Sequence, residues 1–231
     1  MKILDTYKKY LDLGTNEGLR YNDESKSRFV SFNMCLERLA KLSAPKILEL
    51  GTSRSYVDGK FPGCNSDDKK FWNKDDFSKW DWGAGCFTLM FGMHLPNAKI
   101  TTLDLIPNHI NRCQYMTSSL DLDNVSHVVS DSISYLNSTS ESYDLIYLDT
   151  GDMHPIEPTC LLQLEEAKSI VGKKILNAQG LLLIDDVLNG TPREMGDLSN
   201  RYGKSELALP YLLNNNYKLL FEGYQYILTQ G

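Results

Sequence analysis

The sequence predicts a doubly wound α/β fold, on three observations. β-prone runs alternate with helical patterns five times, and a closing pair of strands follows. The run Leu181-Leu182-Leu183-Ile184 is apolar without alternation, as in a parallel strand covered on both faces. Five runs end in or beside a carboxylate, at Glu49, Asp104, Asp131, Asp149 and Asp185. In open α/β sheets the carboxyl ends of the strands form the ligand side, so acidic residues gathered there point to a binding site.

The first strand is Lys46-Ile47-Leu48-Glu49-Leu50, entered after Pro45 and left through the small-residue turn Gly51-Thr52-Ser53. Glu49 is unusual there, because a carboxylate without partners is costly to bury. It either meets hydrogen-bond donors at the strand's end or sits at an edge facing water. Before the strand, apolar residues from Phe29 to Leu42 recur at helical spacing, and Pro45 stops that helix. Residues 1–44 thus read as an N-terminal helical segment ahead of a main domain at 45–231. The first 25 residues carry a short helix near Thr6–Leu13 and could reach over the site or onto a second copy of the chain, which leaves a homo-oligomer open.

Residues 54–84 interrupt the expected strand-to-helix step, which normally takes a few residues. Phe71, Trp72, Phe77, Trp80 and Trp82 alternate there with Lys/Asp-rich runs. One reading is a lid that walls the acceptor pocket with Trp72, Trp80 and Trp82; the other is a surface hairpin with a private aromatic core. Helix resumes over about Gly85–His94. Then come a strand at Ile100–Asp104, a helix from Pro107 to about Thr117 and a strand at Ser126–Ser130. A short helix capped by Ser132 and a strand at Tyr143–Leu148 follow. A helix over Glu157–Leu176 leads to the apolar strand, and Ser205–Asn214 is helical, with Pro210 as a kink or boundary. Tyr217–Phe221 and Tyr224–Leu228 form a hairpin.

A net charge of −6 repels phosphate backbones, so nucleic acid is not the expected partner. The five cysteines form no CxxC pair, which argues against structural zinc or a disulfide framework. No apolar signal core or membrane-length apolar run is seen, so the expected location is the cytoplasm, with no membrane partner.

The acidic strand ends divide by chemistry. Asp104 is placed to accept both hydroxyls of a ribose. Asp131 either accepts from an adenine amine or caps a helix. With no GxGxxG and no GxxxxGK[ST] turn, a nucleoside cofactor without phosphates fits best. Asp149, Asp185 and Asp186 close two strands expected to be adjacent, and three gathered carboxylates attract a hard cation such as Mg²⁺. Bound there, Mg²⁺ would hold a diol and acidify one hydroxyl. The plainer reading puts Asp185 in the site and Asp186 at a turn. His154 is the candidate base, against the plainer view of an exposed loop histidine, and Asp152 is a candidate either as a ligand or as the base's orienter.

In order and spacing these stretches resemble the class I S-adenosylmethionine-dependent methyltransferases. Ile47-Leu48-Glu49-Leu50-Gly51-Thr52-Ser53 resembles their first motif, Thr102-Leu103-Asp104 the ribose-binding strand end, and Val129-Ser130-Asp131-Ser132 the adenine-side motif. Tyr143–Asp149 and Gly180–Val187 resemble strands four and five of small-molecule O-methyltransferases of the sugar and catechol types. The resemblance implies a seven-stranded sheet of order 3-2-1-4-5-7-6, helices on both faces, and methyl transfer to a small hydroxylated molecule. It implies S-adenosyl-L-methionine held by Glu49, Gly51, Thr52, Ser53, Gly85, Asp104, Asp131 and Ser132. It also implies Mg²⁺ on Asp149, Asp185 and Asp186, with His154, Asp149 and Asp152 at the chemistry. Two departures stand out: the insertion splits the glycine turn from its helix, and Asp149-Thr150-Gly151-Asp152-Met153-His154 is longer than the usual Asp-Gly-Asp-His. A metal-independent methyltransferase and a silent protein that uses the fold only for binding are the competing readings.

Overall fold

The structure, a computed structural model, describes residues 4–11, 27–59, 61–84, 86–152, 155–187 and 203–231. Its strands are β1 (Lys46–Leu50), β2 (Lys99–Asp104), β3 (Val125–Val129), β4 (Tyr143–Leu148), β5 (Leu176–Ile184), β6 (Tyr217–Glu222) and β7 (Tyr226–Gln230). The main helices are α1 (Arg28–Leu39), α2 (Phe87–His94), α3 (Pro107–Ser119), α4 (Ser132–Ser138), α5 (Ile156–Lys173) and α6 (Ala208–Asn214). The strands form one sheet of order β3-β2-β1-β4-β5-β7-β6. β1 to β5 pair in parallel, and β7 runs antiparallel to both β5 and β6. The predicted fold class and strand order are therefore those observed.

Strand side chains alternate between two cores, as the pleat requires. Ile47, Ile100, Leu145, Tyr147, Leu181 and Leu183 face one layer, with residues of α1 and α2 and Met116 of α3. Leu48, Leu50, Leu103, Ile146, Leu148 and Leu182 face the other, with residues of α4, α5 and α6. Both faces of the central strands are thus covered, which explains their uninterrupted apolar runs. β1 lies between β2 and β4, so the winding direction reverses beside it. That reversal opens a crevice at the carboxyl ends of β1 and β4.

The aromatic residues of the insertion match neither expectation. The insertion contains three short 3-10 turns, Lys69–Phe71, Phe77–Lys79 and Trp82–Ala84, and its described residues contain no strand. Trp80 is 1% exposed and stacks between Trp72 and Trp82, at centroid distances of 4.9 and 5.7 Å. Trp82 stacks in turn on Tyr10 of the N-terminal segment at 5.3 Å. The indole N–H groups donate to Ser119 Oγ (Trp72), Asn73 O (Trp80) and Phe77 O (Trp82), at 2.7, 3.1 and 2.6 Å. These rings join the core of α1 and α2 and form no private cluster.

Several boundaries also move. Helix α5 stops at Lys173, with Lys174 in the left-handed region (φ 55°), and Leu176 already belongs to β5. β7 begins at Tyr226 because Gly223 to Gln225 form the turn. Asp131, not Ser132, caps α4: its side chain accepts from Ser134 N at 2.8 Å.

Candidate active site

A cavity of about 480 Å³ lies over the carboxyl ends of β1, β2 and β4. That volume suits a small-molecule site. Gly51, Thr52, Asp104, Asp131, Ser132, Asp149, Asp152 and Asp186 line it, and so include three of the five acidic strand ends, Asp104, Asp131 and Asp149.

The floor is set by Gly51. Its φ of +94° turns the chain out of β1, and its N–H donates to Leu103 O at 3.0 Å. A Cβ here would lie 2.6 Å from the Asp149 carbonyl oxygen, so only glycine lets β1 and β4 emerge this close together. The Thr52 and Thr102 hydroxyl oxygens lie 2.8 Å apart. On one wall Asp104 Oδ1 accepts from Ile106 N at 2.8 Å, and Oδ2 meets His109 Nδ1 at 3.2 Å. The carboxylate is thereby fixed at the end of β2. Leu105 and Ile106 follow it, 68% and 46% exposed, and offer apolar surface to the cavity.

The opposite end is a charged cluster. Oxygens of Asp149, Asp185 and Asp186 lie within 4.8 Å of one another. Arg28 opens α1 and is buried. Its Nη2 and Nε lie 2.6 and 3.1 Å from the two oxygens of Asp185, and its Nη1 donates to Gly83 O at 3.0 Å. Gln225 Nε2 adds a third donor to Asp185 at 2.8 Å. Lys204 Nζ lies 3.0 Å from Asp149 Oδ1 and 2.8 Å from Asp186 Oδ2. Burial pushes the Asp186 carboxyl up, but Lys204 and Arg28 outweigh it and hold the group well below its ordinary value. Burial raises Asp149, against the opposing pull of Lys204.

This arrangement tests the expected metal. The three carboxylates are close enough to share an ion, but their donor set is already committed. Asp185 is fully buried, with both oxygens on Arg28, and Lys204 bridges Asp149 and Asp186. A divalent ion bound to all three would have to displace a buried ammonium and a buried guanidinium. The residues do not fit Mg²⁺ as resident cofactor.

Other expected site residues fall elsewhere. Glu49 is 3% exposed and does not line the cavity; it accepts from Thr88 Oγ1 and, at 2.5 Å, from Thr102 Oγ1. Ser53 is buried off the cavity wall, and its hydroxyl has no partner among the described residues. Asp185 serves Arg28 and is likewise absent from the wall. Trp72, Trp80 and Trp82 do not line the cavity either; the insertion contributes Arg54, Gly83 and Ala84. Asp152 reaches the wall but is largely exposed and pairs with Arg54 Nη1 at 3.0 Å. Gly85 and His154 lie outside the described residues.

Sequence reasoning missed Arg28 and Lys204. A faint signal exists for Arg28: a cation in the first turn of a helix opposes the helix dipole and calls for another partner. For Lys204 the sequence offers no signal.

No family model and no curated protein matches the sequence. Solved structures do match the fold. The SAH-bound Podospora anserina methyltransferase PaMTH1 is 14% identical with a TM-score of 0.54, covering 98% of this chain and 88% of its own. A candidate caffeoyl-CoA O-methyltransferase from Staphylococcus aureus is 13% identical with a TM-score of 0.57, over 99% and 92%. A candidate O-methyltransferase from Klebsiella pneumoniae is 15% identical with a TM-score of 0.56, over 100% and 91%. At these identities the likeness is one of fold.

Proposed function

We propose that this chain is an S-adenosylmethionine-dependent O-methyltransferase acting on a small hydroxylated molecule. The observation that carries the reading is the placement of Asp104. It is a fixed carboxylate at the end of β2, beside the Gly51 turn and the exposed Leu105-Ile106 pair, at the point where the sheet reverses its winding. A ribose needs that acceptor, and an adenine needs that apolar face. The cavity wall carries five aspartates against Arg28, Arg54 and Lys204. Such a surface suits a cationic sulfonium better than a phosphate-bearing nucleotide. The matched folds, one of them SAH-bound, support the same reading.

The cofactor supplies a methyl carbon bonded to a positively charged sulfur. The chain's own residues have two tasks. Gly51, Asp104 and Asp131 line the cavity and would hold and orient the cofactor. Asp149 takes the proton of the acceptor hydroxyl: it lies on the wall, and burial raises its proton affinity. Held by these residues, the cofactor would supply the methyl group to the acceptor oxygen.

Calorimetric titration of S-adenosylmethionine into the chelator-treated protein tests this. Saturable binding near one per chain is expected, followed by turnover on a panel of diols and sugars. Asp104→Ala should weaken binding by about 1–3 kcal/mol through lost charge-assisted hydrogen bonds. Absence of binding in folded protein would move the silent binding-protein reading to the front.

A further inference from the structure

The carboxylates at the ends of β4 and β5 already hold a cation. Lys204 is 3% exposed and sits in the 3-10 turn Gly203–Ser205, which is pressed against the end of β5. Its backbone N–H donates to Asp186 O at 3.2 Å. Gly203 has φ +57°, and a Cβ there would lie 1.9 Å from the same carbonyl oxygen, so the approach requires glycine. Asp186 is itself in the left-handed region at φ 53°. Lys204 is therefore delivered by a constrained backbone junction, unlike a surface lysine that swings in from solvent. Arg28 meanwhile occupies Asp185, so three carboxylates meet two resident cations. An ammonium has three donors. Two of them serve Asp149 and Asp186, and Lys204, Asp149 and Asp186 all line the cavity.

We propose that Lys204 takes the place of a divalent cation: its ammonium neutralises Asp149 and Asp186 and holds the acceptor's oxygen with its third N–H, so that the protein works without metal. The acceptor role rests on the methyltransferase reading; the exclusion of metal does not. The chemistry selects an acceptor with a hydroxyl beside a second oxygen or an anionic group, since a single fixed ammonium aligns such a molecule as a point charge.

The experiment is a titration of Mn²⁺ alone, read by the electron paramagnetic resonance of the free ion, on the full-length wild type and on Lys204→Ala. The wild type should show no saturable binding at millimolar Mn²⁺, and chelation should leave its turnover unchanged. Removing the ammonium leaves Asp149 without its cation and Asp186 with only Arg28, whose Nη2 lies 3.6 Å away, so Lys204→Ala should gain one Mn²⁺ site. Its turnover should fall on the order of 100-fold, as for loss of one preorganised donor, with partial recovery in added Mg²⁺. A merely structural lysine would not produce that gain of binding or that recovery. One equivalent of Mn²⁺ on the wild type, or loss of turnover on chelation, would overturn the proposal. Full turnover in Lys204→Ala would overturn the acceptor-holding role. If Lys204→Ala does not fold, the wild-type titration still decides the metal question. If S-adenosylmethionine does not bind, the functional reading fails while the Mn²⁺ result stands on its own.

Discussion

Glu49 shows how much one residue can disclose from its type and place. A carboxylate in a buried strand demands donors, and two threonine hydroxyls supply them. What its type could not disclose is direction: the side chain faces Thr88 and Thr102, not the cavity. Burial raises the carboxyl from 4.5 to about 8, and the two hydroxyl hydrogen bonds only partly oppose this. The folded state then holds a proton that the unfolded chain releases between those values, so this residue's contribution to stability falls as pH rises through that window. Glu49→Gln removes the titration. Its stability relative to wild type should therefore be lowest near pH 4 and rise by a few kcal/mol toward pH 8–9, since each pH unit crossed within the window is worth about 1.4 kcal/mol. Urea unfolding of both proteins across that range checks the sign. A difference that stays flat with pH would mean that Glu49 is not held protonated.

At the scale of the element, the insertion is the main departure from the sequence reading. Its length and aromatic content were legible, but its destination was not, because a loop tryptophan looks the same whether it packs inward or walls a pocket. The geometry settles it: Trp80 is enclosed by Trp72, Trp82 and Phe77, and the cluster continues through Tyr7 and Tyr10 into the helices on that face. The insertion's aromatic residues therefore pack into the core. Trp80→Ala should lower unfolding free energy by about 3–5 kcal/mol, the usual cost of emptying a buried aromatic site. Chemical denaturation measures this. A loss below about 1 kcal/mol, the size of an ordinary surface change, would restore the picture of a detachable lid. The shift of the α5–β5 boundary has a similar origin. Leu176 fits a helical period, but Lys174 turns left-handed and the Asp144 side chain draws Asn177 into the sheet at 2.7 Å.

Across the whole molecule, Arg28 joins three distant parts of the chain. It opens α1, reaches the carbonyls of Trp82 and Gly83 at the end of the insertion, and clamps Asp185 at the end of β5. Helix α1 is thus tied to the cavity edge of the sheet. Removing one partner of a buried ion pair leaves an uncompensated charge. Arg28→Met should therefore cost about 3–5 kcal/mol in stability, while the double variant Arg28→Met/Asp185→Leu should recover much of that loss. Denaturant titrations of the single and double variants test the coupling. Equal losses in both would show that Arg28 acts by packing alone.

The sequence by itself determined the strand–helix alternation, the two-sided burial of the central strands, and the gathering of carboxylates at one edge of the sheet. These follow from local rules: side-chain period, turn residues, and the direction in which parallel strands must run. Tertiary structure decided what those carboxylates face. Arg28 and Lys204 lie 157 and 19 residues from Asp185 in the chain, and no local pattern links them to it. Whether three acids collect a metal ion or two side-chain cations depends on which distant segments the fold brings alongside. That choice is electrostatic, made over a few ångströms in space, and periodicity carries no trace of it.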